Sequence, residues 1–227
     1  MSSVSVQEGY ARWAPTYDQD PNPLLALEER LLQPLLPELA GKVVLDLACG
    51  TGRWSSRLLS QGARTVVGVD FSPAMAAAGN MKPDLKGRLA LGDCCALPFR
   101  NGTFDLVIHS FALGHIQDVE RVAREVARIT GMNGDVYVSD LHPYARAQGW
   151  KTGFRDRHGP VEITTWPRPL EEQVDFWGAA GFRCVRSISA RLEELEMPIL
   201  ARAGKAHRFE EVSRVPAIQI LHFKPRH

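Results

Sequence analysis

Short apolar, β-branched runs alternate with helical segments through most of this chain, and that rhythm leaves few folds open. Residues 43–49 (VVLDLAC) read as a first strand, followed by Gly50-Thr51-Gly52 and a helix over 53–61. Residues 65–71 (TVVGVDF) read as a second strand, and Ser72-Pro73 opens the next helix with an N-cap and a first-turn proline. Residues 89–93 and 105–111 give a third and a fourth strand. The fourth is nearly continuous in apolar residues, as a strand buried on both faces should be. A helix over 118–129 carries Val119, Val122, Ala123, Val126 and Ile129 on one stripe, and residues 131–134 stop it before a fifth strand over 135–141. A helix over 170–180 and two late strands, 182–190 and 216–223, complete the pattern. Repeated strand–helix alternation predicts an α/β fold, a parallel sheet with helices on both faces.

Three segments fall outside the rhythm: a mostly helical stretch over 1–40, a Gly-, Pro-, Arg- and Trp-rich stretch over 142–168, and residues 191–214. Insertions at such points cover the carboxyl edge of a sheet, where ligands usually bind. A single domain over 1–227 is expected, with 1–40 as an N-terminal cap and the other two as substrate-side insertions. Lys plus Arg is 27 and Asp plus Glu is 26, a balance that gives no support to a nucleic-acid partner. The four cysteines have no metal-ligand spacing and are too few for a disulfide framework, so no metal is expected. The opening MSSVSVQEGYARW lacks a basic region followed by an apolar run. No uncharged apolar run approaches the roughly 18 residues of a membrane span. A cytoplasmic location is the expectation.

Three constellations carry chemistry. Asp46-Leu47-Ala48-Cys49-Gly50-Thr51-Gly52 ends the first strand, where glycine lets a ligand approach the backbone. A dinucleotide site would want G-x-G-x-x-G, and Ser55 stands at the third position. Asp70 ends the second strand about 20 residues further on, where a carboxylate can accept from both hydroxyls of a ribose. Ser72 is the better helix cap, which leaves Asp70 free for a ligand. Asp93, in the loop Gly92-Asp93-Cys94-Cys95, can accept from an exocyclic adenine amine while a neighbouring amide donates to the ring.

VLDLACGTGRW, VVGVDFSPAM, LALGDCCALPF, FDLVIHSFALGHI and GDVYVSDLHP, in this order, resemble the motifs of class I S-adenosylmethionine-dependent methyltransferases. Within that class they resemble the small-molecule branch that includes the ubiquinone and menaquinone C-methyltransferases. The resemblance covers about residues 10–142 and the last strand. It implies a Rossmann-like, seven-stranded, mostly parallel sheet with an antiparallel last strand, S-adenosyl-L-methionine as cofactor, and a small-molecule acceptor. It also implies a cofactor-binding set of Tyr17, Asp46, Ala48, Gly50, Thr51, Gly52, Asp70, Phe71, Met75, Asp93, Cys94 and Ser110. In that set the glycine turn underlies the methionine part, Asp70 holds the ribose, and Asp93 with the Cys94 backbone holds adenine. Ser110 lies near the methionine ammonium, and Tyr17 turns toward the cofactor.

The sulfonium is an activated leaving group, so the protein must align an acceptor, exclude water and, for some acceptors, take a proton. His142, delivered by the fifth strand to the ligand edge, is the first candidate base, and His115 the second. His109 lies inside a buried strand and reads as a core residue; Tyr144 and His158 are weaker candidates. Trp150, Phe154 and Trp166 among Arg146, Lys151, Arg155, Arg157 and Arg168 read either as an apolar acceptor pocket with a handle for an anion or as a solvated basic loop anchored by tryptophans. Two other functions stay open: a nicotinamide-dependent oxidoreductase on a similar sheet, and a non-catalytic cofactor-binding module.

Overall fold

The computed structural model describes residues 3–226; the first two residues of the predicted cap and His227 lie outside the described residues. Chain order runs β1 (Ser3–Val4), α1 (Val6–Trp13), α2 (Pro23–Leu32), β2 (Val43–Leu47), α3 (Arg53–Ser60), β3 (Thr65–Asp70), α4 (Pro73–Asn80) and β4 (Leu89–Leu91). It continues with β5 (Phe104–Ser110), α5 (Val119–Ile129), β6 (Thr130–Leu141), α6 (Pro143–Ala147), β7 (Gly153–Asp156) and β8 (Gly159–Ile163). The last elements are α7 (Leu170–Ala179), β9 (Phe182–Ala190), α8 (Met197–Arg202), α9 (Phe209–Val212) and β10 (Ile218–Pro225).

Seven strands form one sheet in the order β4-β3-β2-β5-β6-β10-β9. The pairs from β4 to β6 are parallel, and β10 runs antiparallel to both of its neighbours, as the resemblance implied. The central strands are apolar on both sides because both sides are covered. Leu45, Leu47 and Val107 pack against Val122, Val126 and Trp177 on one face. Val44, Leu106 and Ile108 pack against Leu27, Trp54 and Leu58 on the other. The predicted stripe of α5 is buried along its whole length, each fully buried Val or Ile contributing about 1.5–3 kcal/mol.

Several strand ends shift by one or two residues, and two features differ more from the sequence reading. β6 begins at Thr130, so the glycines expected to form a connection lie within the strand, beside Phe104. Gly134 permits this close approach, since a Cβ there would lie 2.5 Å from the Thr130 side chain and 3.0 Å from the Gly131 carbonyl oxygen. The 142–168 insertion is not a plain loop but contains α6 and the β7–β8 hairpin. β1 adds to this hairpin in parallel, with Ser3 opposite Glu162 and Val4 opposite Ile163. The N-terminal segment is therefore stitched to the insertion. Trp13 stacks on Phe154 with centroids 5.1 Å apart, and Arg12 pairs with Asp156.

Candidate active site

The chain leaves β2 for β3 on one side and returns to β5 on the other, so the sheet order reverses beside β2. A crevice forms at such a point in an open α/β sheet. Here it is a cavity of about 800 Å³ at the carboxyl ends of β2 to β5, roofed by residues of α1 and of the insertion. Tyr17, Asp46, Ala48, Gly50, Asp70, Phe71, Asp93, Cys94, Ser110 and His115, all singled out from the sequence, line it together.

The glycine turn reaches the cavity through unusual backbone. Gly50 and Gly52 have φ of 56° and 80°, and Ala48 adopts a φ of 56° despite its side chain. Phe111, just past β5, has a φ of 52°. Left-handed non-glycine residues cost about 1–3 kcal/mol each, and both stand at the cavity wall. A Cβ on Gly50 would meet nothing within 4 Å, so the space beside the turn is open to a ligand.

Asp46 is buried in β2 and accepts from the Ser55 amide at 2.8 Å and the Ser55 hydroxyl at 2.7 Å, which anchors the start of α3. Burial pushes its carboxyl up to about 6, against the pull of the Ser55 bonds. Asp70 accepts from the Gly50 amide at 2.7 Å and from the Ser72 amide at 2.8 Å. It is thus not free, as the sequence suggested, but already clamps the glycine turn to β3. Ser72 does cap α4, accepting from Met75 at 3.4 Å. Burial raises the Asp70 carboxyl, and the backbone amides oppose that rise. Asp93 accepts from the Cys95 amide at 2.8 Å. The side-chain ligand atoms of Asp93, Cys94 and Cys95 lie within 4.8 Å of one another. Burial pushes both thiols up.

Four predicted residues stand off the cavity. Thr51 is buried and donates to Asp18 at 2.6 Å, while Asp18 also pairs with Lys82. At Gly52 an added Cβ would run into Leu85, so that glycine serves packing. Met75 is buried with Val4, Trp13, Val161 and Ile163. His142 caps α6, with Nδ1 accepting from the Tyr144 amide at 3.1 Å and Nε2 lying 3.0 Å from the Ser189 hydroxyl of β9. Pro143 starts a helix there, and the cap turns the imidazole toward β9 rather than into the cavity. Tyr144 is exposed, and His109 is buried with Nδ1 3.1 Å from the Leu47 carbonyl.

His115 is the histidine that lines the cavity. Its Nδ1 lies 3.0 Å from the Thr164 carbonyl, which can only accept, so Nδ1 carries the proton. Nε2 then accepts from the Tyr10 hydroxyl at 3.1 Å. Burial lowers its pKa, which keeps the ring neutral near pH 7. Asp140, at the end of β6, holds the preceding Gly114 amide at 2.6 Å and is itself paired with Arg146 at 2.9 Å. Burial pushes the Tyr17 phenol up to about 12, so it stays protonated.

The sequence reading missed a buried ion pair behind this wall. Glu28 of α2 has no exposed surface. It accepts from Arg53 and Ser139, from Ser110 at 2.7 Å and from Trp54 Nε1 at 3.1 Å. A glutamate among Leu24, Leu25, Leu27 and Leu31 was the available signal. Three of the insertion's basic groups are committed elsewhere, Arg146 to Asp140, Lys151 to Glu162, and Arg168 to the carbonyls of Ile116, Trp166 and Gln117, while Arg155 and Arg157 are exposed. Trp166 lines the cavity, Phe154 stacks on Trp13, and Trp150 packs on the core. Among the described residues the cation lining the cavity is Arg53.

Residues 44–134 match a family model described as a methyltransferase domain. Demethylmenaquinone methyltransferase of Thermobifida fusca (strain YX) is 36% identical over 120 residues, covering 49% of this chain and 50% of the relative. The 2-methyl-6-phytyl-1,4-hydroquinone methyltransferase of Synechocystis sp. (strain ATCC 27184 / PCC 6803 / Kazusa) is 30% identical over 156 residues, covering 67% of this chain and 45% of the relative. A solved S-adenosylmethionine dependent methyltransferase from Mesorhizobium loti superposes with a TM-score of 0.69 at 23% identity, covering 86% of this chain and 96% of that one. Residues 44–134 thus resemble a methyltransferase domain, and the chain has the fold of the class I S-adenosylmethionine-dependent methyltransferases. Within that class its sequence resembles the demethylmenaquinone methyltransferases, and it spans about half the length of the curated relatives it matches.

Proposed function

We propose that the chain transfers the methyl group of S-adenosylmethionine to a small aromatic acceptor of the hydroquinone or phenol class. The observation that carries this is one cavity in which Asp70, Asp93 and an open glycine turn face the same space as His115, Tyr10 and Trp166. Asp70 and Asp93 keep lone pairs beyond their amide bonds and suit the ribose hydroxyls and the adenine amine. The orphaned Nη1 of Arg53 and the space beside Gly50 also fit a polar ligand of that length. The bound cofactor supplies an electrophilic methyl group on a good leaving group.

The chain's own residues hold the acceptor and take its proton. Tyr10, Phe111, Ile116 and Trp166 give an aromatic and apolar wall that excludes water. An acceptor hydroxyl bonded to the Tyr10 oxygen gives up its proton there while the Tyr10 proton passes to His115 Nε2. The acceptor gains electron density at oxygen and ring carbon, and the proton ends on the imidazole. His115 takes this role in place of His142. The names of the relatives in Thermobifida and Synechocystis support the acceptor class. A nicotinamide enzyme is disfavoured because Ser55, where its third glycine belongs, uses its hydroxyl to hold Asp46.

The whole chain works as one methyltransferase unit in this reading, with the N-terminal cap and the 142–168 insertion closing the cavity. The four free cysteines fit a reducing cytoplasm, and among the described residues no helix is long and apolar enough to cross a membrane. The test is incubation of purified protein with methyl-labelled cofactor and a panel of hydroquinones, phenols and thiols. Label entering a hydroquinone or phenol supports the reading. Tight binding of a nicotinamide dinucleotide with no binding of S-adenosylhomocysteine would overturn it.

A further inference from the structure

Cys94 and Cys95 are neighbours in the loop after β4, and both line the cavity. In a strand, adjacent side chains would point to opposite faces. Here the chain turns instead. The Ala96 amide donates to the Asp93 carbonyl at 3.0 Å, which closes a β-turn with the two cysteines at its centre. The Asp93 carboxylate accepts from the Cys95 amide at 2.8 Å and fixes the first half of that turn. The outcome is a dithiol: both Sγ atoms and a carboxylate oxygen of Asp93 lie within 4.8 Å of one another. Both thiols are free and half-buried. The Cys95 thiol reaches the Asp118 carbonyl at 3.7 Å, a weak contact that an S–H group can give up.

An oxidant, a soft divalent cation and a trivalent arsenical can each take up such a pair. The first two act on thiolate. Burial pushes both thiols up, and the charge of Asp93 adds to this, so the pair stays as S–H near pH 7. A disulfide is also disfavoured by spacing, since neighbouring Cα atoms are about 3.8 Å apart and a disulfide usually spans at least about 4.4 Å. A zinc-like cation wants about four ligands, and this group supplies Asp93 beside the two thiols. A trivalent arsenical condenses with S–H itself, and the protons leave in water.

We propose that Cys94 and Cys95 form a capture site for trivalent arsenic, and that a captured arsenical and an adenine-bearing ligand exclude each other. With an organoarsenic oxide, the arsenic–oxygen double bond and both S–H bonds break, two As–S bonds form, and one water leaves. Arsenic stays trivalent, so neither oxidant nor reductant is consumed. The second As–S bond closes within the chain, where the effective thiol concentration is high, so the chelate should outlast a single thiol adduct by about 100-fold or more. Exclusion follows from place, because the two cysteines and Asp93 share one wall of the cavity. That second part rests on the methyltransferase reading above, which sets adenine beside Asp93; the capture itself does not.

The test treats the full chain with phenylarsine oxide in excess glutathione, which strips singly bonded arsenic, and reads intact mass. One adduct per chain should persist and should come off with a small dithiol. Cys94→Ser and Cys95→Ser should each weaken retention by about 100-fold or more, while Cys184→Ser should match wild type. If a serine variant does not fold, differential alkylation of the wild type decides, because the thiols spared until the arsenic is released are those that held it. No adduct on the wild type, a persistent adduct on either folded serine variant, or sparing of other cysteines overturns the site. S-adenosylhomocysteine at about ten times its Kd should slow capture roughly tenfold. Undiminished capture by a chain that calorimetry shows to hold that ligand overturns the exclusion. Failure of the ligand to bind at all overturns the methyltransferase reading and leaves the capture standing.

Discussion

Replacing Asp70 by alanine removes two hydrogen bonds before any ligand arrives, those from the Gly50 amide at 2.7 Å and from the Ser72 amide at 2.8 Å. Bonds to a charged acceptor are worth about 1.5–3 kcal/mol each. Two effects reduce that sum. Burial already penalises the carboxylate, as its raised pKa records, and the cavity lets water reach part of what the side chain leaves. A net loss of about 2–3 kcal/mol follows, which lowers the melting temperature of a chain this size by roughly 4–12 °C. Asp70→Asn keeps one carbonyl oxygen as acceptor and should lose about half as much. Affinity for S-adenosylhomocysteine should fall roughly tenfold or more in the alanine variant, because the ribose hydroxyls lose their acceptor as well. Differential scanning calorimetry and isothermal titration on the three proteins read both effects. A melting temperature within about 1 °C of wild type would show that the turn does not depend on the clamp. Affinity within about threefold would remove Asp70 from the ribose.

His115→Ala should lower turnover by about a hundredfold with cofactor affinity unchanged, whereas His142→Ala should turn over like wild type; steady-state kinetics on both variants decides. Burial lowers the His115 pKa below its unfolded value of about 6.5, so its contribution to stability is complete above that pH and is lost as pH falls through the folded value. Melting curves of His115→Gln against wild type should therefore converge on acidification. Asp46 has the opposite sign: with its folded pKa at about 6 and an unfolded value near 4, the native state binds the extra proton, and its contribution weakens as pH rises from about 4 to about 6. Asp46→Asn should flatten that slope in a stability-against-pH series. A Cβ at Gly9 would stand 2.7 Å from Ile163, so Gly9→Ala should speed amide exchange in residues 3–17 and 153–166 together, read by mass spectrometry.

The inner strands β2 and β5 were legible because both of their faces are covered and their sequences are nearly continuous in apolar residues, whereas the edge strands β4 and β9 are largely exposed. Residues 182–190 were read with the bounds that β9 has. β1 and the β7–β8 hairpin were not legible. Each is short and rich in Gly, Ser and Pro, and β1 pairs with a partner about 160 positions away, which no local pattern records. The cavity residues contributed by single strand ends and their turns, Asp70, Asp93, Gly50 and Ser110, could be read locally. Glu28 could not, since its partners come from α3, β5 and β6 by packing. His142 illustrates a different limit. Its place at the end of β6 could be read, but the direction of its ring depends on the helix that Pro143 begins and on Ser189 of another strand.

Because Val4 sits opposite Ile163 and Trp13 lies flat on Phe154, residues 3–17 and 153–166 form a single part for engineering. Grafting a relative's hairpin alone, to change which acceptor is admitted, would leave β1 without its partner and Trp13 without its stacking face. The same graft carried out with the matching N-terminal segment would replace the whole gate at once. On the proposed reading, acceptor selectivity is accordingly inherited through two distant stretches of sequence that have to change as a pair.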